Sequence, residues 1–362
     1  MIDLIQLRGF KRFSDDTFSI SPLTVLAGIN GSGKTSLIHA LLLLRNASIS
    51  TESTIQLNGP FYLELGVFGD IRNWNTSDSV DILLRDDSSR DFLWRFDGEE
   101  NSLYANVVSR PQAVPAILGA GDRNFQYISA ERYGPRIILG ANALPSSQLE
   151  VGVRGEYSAQ LLYALDNLKV NPERRSPDST LDDILLLKVE TERWLSRITR
   201  PVQVNAESFS TAATFALQFR VPDGEWVRAP NMGFGVTYAL PIVLAGLTAS
   251  KESVLVVENP EAHLHPAGQS QMGRFLATMA ASGVQVIIET HSDHVLNGIR
   301  RAIAEDRKLS ASQAVIHFFD ADSDTHSELS FTETGGIDNW PSGFFDQYQI
   351  DVSALTKIRR SR

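Results

Sequence analysis

The second half of the chain alternates between two apolar patterns. Short runs rich in Val, Ile and Leu are typical of strands buried on both faces, and longer segments with apolar residues three or four positions apart are typical of helices. Strands and helices that alternate in this way predict a parallel sheet covered by helices. The predicted order is helix 236–249, strand 253–257, helix 267–281, strand 284–289, helix 293–305 and strand 314–319.

The first half has a different pattern, with short strands and long polar stretches. Residues 1–27 are predicted as strands, the apolar run at 36–44 as a buried helix, and the polar stretch at 49–78 as loops. Turn residues separate the strand-like runs that follow, which predicts an antiparallel meander. The meander comprises 80–85, 91–96 and 103–108, and it is followed by strand 125–129, helices 156–168 and 181–198, and strands 202–205 and 213–221.

Composition narrows the class of protein. The 362 residues are 43% hydrophobic, which is enough for one large core or two smaller ones. Cysteine is absent, so disulfides, thiolate metal sites and cysteine nucleophiles are excluded. The N-terminus has no signal-type segment and no apolar run reaches the ~20 residues that span a bilayer, so we expect a cytoplasmic protein with no membrane partner. A net charge of −10 argues against a uniformly basic surface for nucleic acid, but not against a local basic patch.

Residues 28–35 read GINGSGKT and match the phosphate-binding pattern G-x-x-x-x-G-K-[ST]. The predicted strand at 23–27 precedes this segment and the helix at 36–44 follows it, so backbone N–H groups and a helix N-terminus converge on one point. In such a loop Lys34 supplies positive charge to the phosphates and Thr35 supplies a hydroxyl to Mg²⁺. The alternative is a Gly-rich turn that matches by chance.

The ends of two predicted strands carry a second group of polar residues. Strand 253–257 is followed by Glu258, a carboxylate that can hold the Mg²⁺ shell opposite the loop hydroxyl. Strand 284–289 is followed closely by His291, at the edge of the sheet where α/β proteins bind ligands. There His291 can touch the γ-phosphate or orient a water. The alternative is a histidine at the start of the next helix, for which Ser292 is a good N-cap.

Taken in order, the phosphate loop, the segment VVENPEAHLHP at 256–266 and the segment ETHS at 289–292 resemble the ABC-type ATPase heads of the SMC, RecF and OLD group. The chain resembles more closely the stand-alone bacterial AAA-family ATPases that end in a short C-terminal domain of unknown function. The resemblance covers residues 1–45 and 230–345 well and the middle loosely. It implies an α/β P-loop fold with a mostly parallel sheet, an N-terminal antiparallel β-subdomain and a helical lid insertion.

The resemblance also implies a division of the chain into four segments. Residues 1–45 hold the N-terminal strands and the phosphate loop, and 46–230 hold the antiparallel strands and the lid. Residues 231–319 hold the signature, the Walker B strand and the His switch, and 320–362 form a small C-terminal extension.

In such heads ATP and Mg²⁺ are held between two subunits, and a signature segment of one subunit caps the γ-phosphate on the loop of the other. The signature here is NMGFGVT at 231–237, with glycines that allow close backbone approach at a helix N-terminus. Arg12 matches a basic position that contacts nucleotide. The alternatives are an ordinary Gly-rich helix entry and a surface arginine. The implied nucleotide-binding residues are Arg12, Asn30, Gly31, Ser32, Gly33, Lys34, Thr35, Ser36, Gly233 and Gly235, and the implied metal-holding residues are Thr35 and Glu258.

One position departs from the family pattern. Relatives usually have a Glu directly after the metal-binding carboxylate, where it polarises the attacking water, whereas this chain has Asn259. An amide can orient water but cannot accept its proton. Either Glu261 or His291 substitutes, or hydrolysis is slow and ATP acts mainly as a clamp between subunits. The candidate catalytic residues are Glu258, Asn259, Glu261 and His291.

Two further segments have candidate metal chemistry. His263 and His265 lie two positions apart without a nearby cysteine, which is weak support for a metal site. Residues 318–324 read FFDADSD and resemble the paired carboxylates of the nucleases fused to OLD-type heads, where Asp320 and Asp322 would hold Mg²⁺. A polar turn between two strands is the alternative for this segment. The second of those strands is predicted at 327–332.

We therefore expect an ATPase that binds ATP and Mg²⁺ and forms a dimer or higher oligomer around them. The resemblance suggests DNA maintenance or defence against phage, beside a separate nuclease or other effector and with DNA as a candidate partner. One alternative is an ATP-gated regulatory scaffold with little turnover, which Asn259 motivates. Another is an Mg²⁺-dependent OLD-like nuclease. Arg132 and Arg136 offer a contact to nucleotide or nucleic acid, or belong to an ordinary loop.

Overall fold

The computed structural model describes residues 1–75, 79–119, 121, 123–320, 326–341 and 343–360. The strands are β1 Ile2–Phe10, β2 Phe13–Ser19, β3 Leu23–Gly28, β4 Thr54–Gln56, β5 Val80–Asp86, β6 Asp91–Asp97, β7 Tyr104–Ser109, β8 Phe125–Ile128, β9 Gln203–Phe209, β10 Thr214–Arg220, β11 Val227–Arg228, β12 Val254–Glu258, β13 Gln285–Glu289, β14 Ala314–Phe319 and β15 His326–Ser330. The α-helices are α1 Lys34–Ile49, α2 Phe68–Ile71, α3 Ser158–Leu165, α4 Leu187–Ile198, α5 Phe234–Thr248, α6 Pro266–Ala281, α7 Asp293–Arg301 and α8 Gln347–Arg360.

A six-stranded, mostly parallel sheet has the strand order β15-β14-β3-β13-β12-β8, and only β15 runs antiparallel to its neighbour. Every residue of β12 and β13 is buried, which agrees with their continuous apolar sequence. Because β13 lies between β3 and β12, the carboxyl ends of these three strands meet at one edge. Glu289 is in register with Glu258 on one side and with Leu26 on the other.

A second six-stranded sheet is antiparallel, with the order β2-β1-β5-β6-β7-β4. Its strand β5 alternates buried and partly buried residues, as expected for a sheet with one face in a core. That face and one face of the parallel sheet enclose α1 between them, so that Trp94, Leu41 and Val256 share one hydrophobic core. The predicted meander is confirmed, and β1 and β2 of segment 1–45 belong to the same sheet.

The opposite face of the parallel sheet is covered by helices. Within β12, Val254 and Val256 contribute to the core around α1, whereas Leu255 and Val257 contribute to a second core with α4, α5 and α6. Trp194 of α4 meets Phe275 of α6 edge to face, with ring centroids 5.0 Å apart. A small three-stranded sheet, β11-β10-β9, joins this second core.

Two sequence-based predictions were wrong in part. The stretch 49–78 contains β4 and the single-turn helix α2 in addition to loops. The helix predicted at 181–198 begins only at Leu187, because the segment before it pairs with 168–170. The N–H of Leu187 donates to the carbonyl of Leu168, and the N–H of Val170 donates to the carbonyl of Leu185.

Candidate nucleotide site

The predicted phosphate loop joins β3 to α1. Gly28 has φ of 138°, and a Cβ atom there would lie 2.2 Å from the carbonyl oxygen of Phe319 on the neighbouring strand β14. Only glycine allows this close approach of two backbones. Gly33 is the N-cap of α1 with φ of 102°, and it turns the chain so that the first N–H groups of the helix face the loop. The strand–loop–helix geometry predicted from sequence is therefore present.

Lys34 and Thr35 open α1 and have different surroundings. The Lys34 ammonium donates to the carbonyl of Gly28 at 3.0 Å and to that of Ile29 at 2.5 Å, so it is folded back over the loop. Burial lowers the pKa of Lys34, and the nearby charge of Glu289 opposes that shift. The hydroxyl of Thr35 donates to Oε1 of Glu289 at 3.0 Å. The hydrogen-bond acceptors of the Lys34 ammonium are thus two neutral carbonyls of the loop, and no ion pair joins it to a carboxylate among the described residues.

A cavity of about 310 Å³ lies beside these residues. Arg12 lines it and its guanidinium donates to the carbonyl of Ser32. Lys11 and His39 line it too, with Lys11 Nζ 2.7 Å from His39 Nδ1. An ammonium has no acceptor, so His39 must accept at Nδ1. Burial lowers the pKa of Lys11 to about 8. The lining also includes Asn30, Gly31, Gly33, Lys34, Thr35, Ser36 and Glu289.

Glu258 ends β12 and is held by protein contacts on both carboxylate oxygens. Tyr127 donates its hydroxyl to Oε1 at 2.9 Å, and the N–H of Ala130 donates to Oε2 at 3.0 Å. Burial raises the pKa of Glu258, while these hydrogen bonds and Arg132 act against that shift. Both donors come from β8 and the loop after it. The structure therefore links Glu258 to an element about 130 residues earlier in the sequence.

Arg132 fixes the turn that follows β12. Its guanidinium donates to the carbonyls of Glu258 at 2.8 Å and Asn259 at 2.7 Å, and to its own loop at Ser129. It also lies over the ring of Tyr238 on α5, 5.3 Å from the centroid. Arg132 is only 3% exposed, so its contacts are to protein. Arg136, by contrast, is exposed on the same loop.

Asn259 and Glu261 occupy that turn. Asn259 has a left-handed backbone with φ of 43°, and its N–H donates to the carbonyl of Glu289 at 2.8 Å. Its Oδ1 is buried and has no hydrogen-bond partner in the part of the chain that the structure describes. Glu261 accepts from the Thr290 hydroxyl and from the His291 N–H, both at 2.8 Å. Asn259 and Glu261 thus connect the end of β12 to the end of β13.

Glu289 is a site residue that the sequence analysis did not single out. It ends β13, lies beside Glu258 in register, and accepts the hydrogen bond of Thr35. Burial, followed by the neighbouring charge of Glu258, raises the pKa of Glu289 to about 7, while the hydrogen bond of Thr35 and the charge of Lys34 act against that shift. In the sequence, Glu289 is a carboxylate at the end of a predicted parallel strand, which alone does not indicate a site. Its position at the site follows from the pairing of β13 with β3.

His291 is exposed at the mouth of the site. It lines a second cavity of about 540 Å³ together with Gly28, Ile29 and Asn30. The far wall of this cavity comes from 343–347 and Ile350 in the C-terminal part of the chain. Partial burial of its ring and the charge of Lys34 lower the pKa of His291. Ser292 is the N-cap of α7, so the expected cap is present directly after the histidine.

The predicted signature segment forms the entry to α5. Gly233 is the N-cap with φ of 101°, and a Cβ there would meet nothing within 4 Å. Phe234 is about half exposed, and its ring lies 5.1 Å from that of His263. Gly233 and Gly235 line neither of the two cavities beside the phosphate loop. Asn231, Gly233 and Phe234 of the predicted signature are thus exposed, whereas Met232, Val236 and Thr237 are buried.

Other predicted features have different outcomes. His263 packs against Tyr238, and His265 is the N-cap of α6. Among the described residues no group of three or more His, Cys, Asp or Glu side chains could hold a metal ion. Asp320 is exposed after β14, and Asp322 lies outside the described residues. No helix in the described ranges is long and apolar enough to cross a membrane.

The fold and the site together define an ABC-type P-loop ATPase head. Comparison with known proteins agrees: the chain belongs to the family described as "AAA domain, putative AbiEii toxin, Type IV TA system", whose model matches residues 23–297. A second model, described as "Protein of unknown function (DUF3696)", matches residues 309–355.

Two curated relatives are nucleases by name. The chain is 23% identical over 363 residues to the Old nuclease of Escherichia phage P2, covering 83% of this chain and 58% of the relative. It is 24% identical over 322 residues to the OLD nuclease of Thermus scotoductus, covering 81% of this chain and 59% of the relative. The chain thus spans about three fifths of the length of these relatives.

Solved structures of SMC heads share the fold. An SMC head bound to the C-terminal winged-helix domain of ScpA has a TM-score of 0.57 at 11% identity, covering 91% of this chain and 97% of that chain. An SMC head with an extended coiled coil, bound to the C-terminal domain of ScpA derived from Pyrococcus furiosus, has a TM-score of 0.51 at 9% identity, with 99% of each chain covered. The expected membership of the SMC, RecF and OLD group is confirmed.

Proposed function

We propose that this protein binds ATP with Mg²⁺ on the loop 28–35, dimerises head to tail around it and hydrolyses it. The observation that carries the proposal is the loop itself, with Lys34 and Thr35 next to two carboxylates at the ends of adjacent strands. P-loop ATPases achieve catalysis by holding phosphates and Mg²⁺ in this way. Mg²⁺ would supply positive charge to the β- and γ-phosphates. Thr35 and Glu258 are the residues predicted to hold it.

The metal fits the residues present. Mg²⁺ is usually held by one or two carboxylates plus phosphate oxygens and water, rather than by a cage of protein ligands. The described residues contain no such cage, but they do place a hydroxyl and carboxylates beside the phosphate loop. We therefore expect the ion to bind together with ATP. Binding to the protein alone should be weak.

The roles of the surrounding residues follow from their positions. Arg12 lies at the cavity beside the loop, where it would contact nucleotide. His291 lines the second cavity, which shares Asn30 with the first, and there it would sense the γ-phosphate. Gly233 and Gly235 would cap the γ-phosphate of a second subunit, because they lie away from the cavities of their own. The N-terminus of α5 favours an anion at that point.

Lys34→Ala tests ATP binding directly. We expect it to abolish binding of a fluorescent ATP analogue while the protein remains folded by circular dichroism, because the ammonium supplies charge to the phosphates. Lys251→Ala is the control, since this lysine is exposed and lies before β12, at the other end of the parallel sheet. Unchanged nucleotide affinity of Lys34→Ala would contradict the proposal.

Dimerisation is tested by analytical ultracentrifugation with and without Mg·ATP. We expect ATP to convert monomer to dimer, or to tighten an existing dimer, in the wild type and in Glu258→Gln. Gly235→Asp should prevent this by placing a carboxylate against the partner's γ-phosphate. A monomer at saturating ATP in both the wild type and Glu258→Gln would contradict the proposed head-to-tail dimer.

Two alternatives remain within the same fold. The names of both curated relatives favour nuclease activity, and Mg²⁺-dependent nicking of plasmid DNA that Asp320→Ala abolishes would support it. Asn259 favours a regulatory scaffold with little turnover, which would show ATP-driven dimerisation without measurable hydrolysis. For the ATPase function we further propose that the protein is cytoplasmic and acts with a separate effector in DNA maintenance or phage defence.

A further inference from the structure

Three carboxylates lie at the ends of β12 and β13, and they differ in how their oxygens are occupied. Glu258 and Glu261 each accept hydrogen bonds from protein donors on both oxygens. Glu289 accepts one, from Thr35, on Oε1. Its Oε2 is buried and has no hydrogen-bond partner among the described residues, and the residue as a whole is only 7% exposed. Glu289 is therefore the carboxylate with an unused oxygen.

Burying a carboxylate oxygen without a hydrogen-bond donor is unfavourable, and a second carboxylate beside it makes the charged form still less favourable. Glu258 is that neighbour, in register on the adjacent strand. Lys34 compensates in part, but its ammonium is directed to the carbonyls of Gly28 and Ile29. Two carboxylates thus lie side by side next to the predicted phosphate loop, and the cavity that Glu289 lines is also lined by Lys11, Arg12 and Lys34. A divalent cation satisfies both the carboxylate and the phosphates.

The hydrogen bond from Thr35 also has a directional consequence. A hydroxyl has one proton and two acceptor lone pairs. Because the proton of Thr35 points to Glu289, both lone pairs remain available to a cation on the loop side. Glu289 thereby sets the orientation in which Thr35 can act as a metal ligand.

We propose that Glu289 is the carboxylate that holds the divalent cation of the bound nucleotide, through its free Oε2 and next to Thr35. Glu258, whose oxygens are occupied by Tyr127 and Ala130, then acts through the outer shell of the ion. This assignment rests on the proposed binding of ATP with Mg²⁺ at residues 28–35. It adds to that proposal the residue that makes ATP affinity depend on the metal.

Glu289→Gln separates this role from simple positioning of Thr35. The amide oxygen of Gln can still accept the hydrogen bond of Thr35, but the negative charge is lost. Without metal, the variant should bind a fluorescent ATP analogue in EDTA as well as the wild type or more tightly, because a charge that repels phosphate is gone. With Mg²⁺ it should bind about 10–100-fold more weakly than the wild type. A residue that only supports the fold would shift both affinities in the same direction.

A second readout uses Mn²⁺ in place of Mg²⁺. Electron paramagnetic resonance counts the Mn²⁺ bound in the presence of ATP, and Glu289→Gln should lose most of it. Glu192→Gln is the matched control, since Glu192 is a partly buried carboxylate on α4 that accepts from the N–H of Val204 outside the site. Glu289→Asp keeps the charge and should retain more of the Mg²⁺ dependence than Glu289→Gln, which covers the case in which the Gln variant folds poorly.

The outcomes are distinguishable. If the wild type binds ATP more tightly with Mg²⁺ and Glu289→Gln keeps that tightening within about twofold, the assignment of Glu289 is wrong while the proposed function stands. Greater loss in Glu289→Asp than in Glu289→Gln would also overturn the assignment. If the wild type binds no ATP with or without Mg²⁺, the proposed function fails and this inference fails with it.

Discussion

Substitution of Arg132 tests which contacts stabilise the turn after β12. In Arg132→Ala the carbonyls of Glu258 and Asn259 lose their donors, and the stack over Tyr238 is lost. Hydrogen bonds from a charged group contribute roughly 1.5–3 kcal/mol each, and a cation–π contact about 1 kcal/mol. Taken together these contacts stabilise the folded state by about 5 kcal/mol.

Burial of the charge acts in the opposite direction. It lowers the pKa of Arg132 to about 10, which means that keeping the guanidinium charged inside the fold is unfavourable. Arg132→Ala removes this cost as well as the contacts. We therefore expect the free energy of unfolding to fall by less than these contacts contribute, by about 2 kcal/mol.

Urea denaturation followed by tryptophan fluorescence measures this change, and ATP turnover reports the effect on the turn. Arg132→Lys should be at least as destabilising as Arg132→Ala, because a lysine retains the buried charge but cannot donate to both carbonyls in the fork geometry of arginine. Arg136→Ala, on the exposed part of the loop, should change stability by less than about 0.5 kcal/mol. Stability within about 0.5 kcal/mol of wild type for Arg132→Ala, with unchanged turnover, would refute the reasoning.

Three further predictions concern the loop, the turn and the acid sensitivity of the fold. Gly28→Ala should lower the free energy of unfolding, measured in urea, by about 3 kcal/mol, since its Cβ would lie 2.2 Å from a backbone oxygen. Gly31 has open space around it, so Gly31→Ala should lower the free energy of unfolding by only about 1 kcal/mol. Equal effects of the two substitutions would contradict the close approach of β3 and β14. Asn259→Glu should raise basal ATP turnover, because glutamate can accept the proton of the attacking water. It should also lower the free energy of unfolding by about 1 kcal/mol, because glutamate tolerates the left-handed backbone poorly. Lower turnover in Asn259→Glu, together with an inactive Glu261→Gln, would make Glu261 the base. Burial lowers the pKa of His326 from 6.5 to about 4, so the contribution of the neutral ring to stability is full above pH 6.5 and is lost as the pH falls toward 4. The melting temperature of His326→Phe should therefore fall less between pH 6.5 and 5 than that of the wild type. Identical pH profiles of the two proteins would argue against this shift.

Local patterns were sufficient to predict the phosphate loop and the alternating strands and helices of the second half. Glycine spacing and apolar periodicity are properties of neighbouring residues, so Lys34, Thr35 and the strand that ends at Glu258 could be identified from sequence. The lateral order of strands is not a local property. The contact between Thr35 and Glu289 exists because β13 lies next to β3, and no pattern in the sequence determines that order.

The same reason accounts for the missed roles of Tyr127 and Arg132. The strand 125–129 was predicted, but not its place beside β12, which brings Tyr127 to Glu258. Arg132 was noted only as a candidate contact to nucleotide or nucleic acid. Its guanidinium instead binds backbone carbonyls of the turn at 258–259, a partner that carries no signal in the side-chain sequence.

The position of β14 bears on how this protein can be divided for experiments. The two family models meet between residues 297 and 309, yet β14 lies within the second and pairs along its length with β3, the strand that leads into the phosphate loop. All six of its residues are buried. A chain cut at the boundary between the models would expose the edge of β3 and remove the backbone against which Gly28 is packed. Deleting the region of unknown function would therefore unfold the nucleotide site, and loss of activity on truncation would reveal nothing about a separate role for that region.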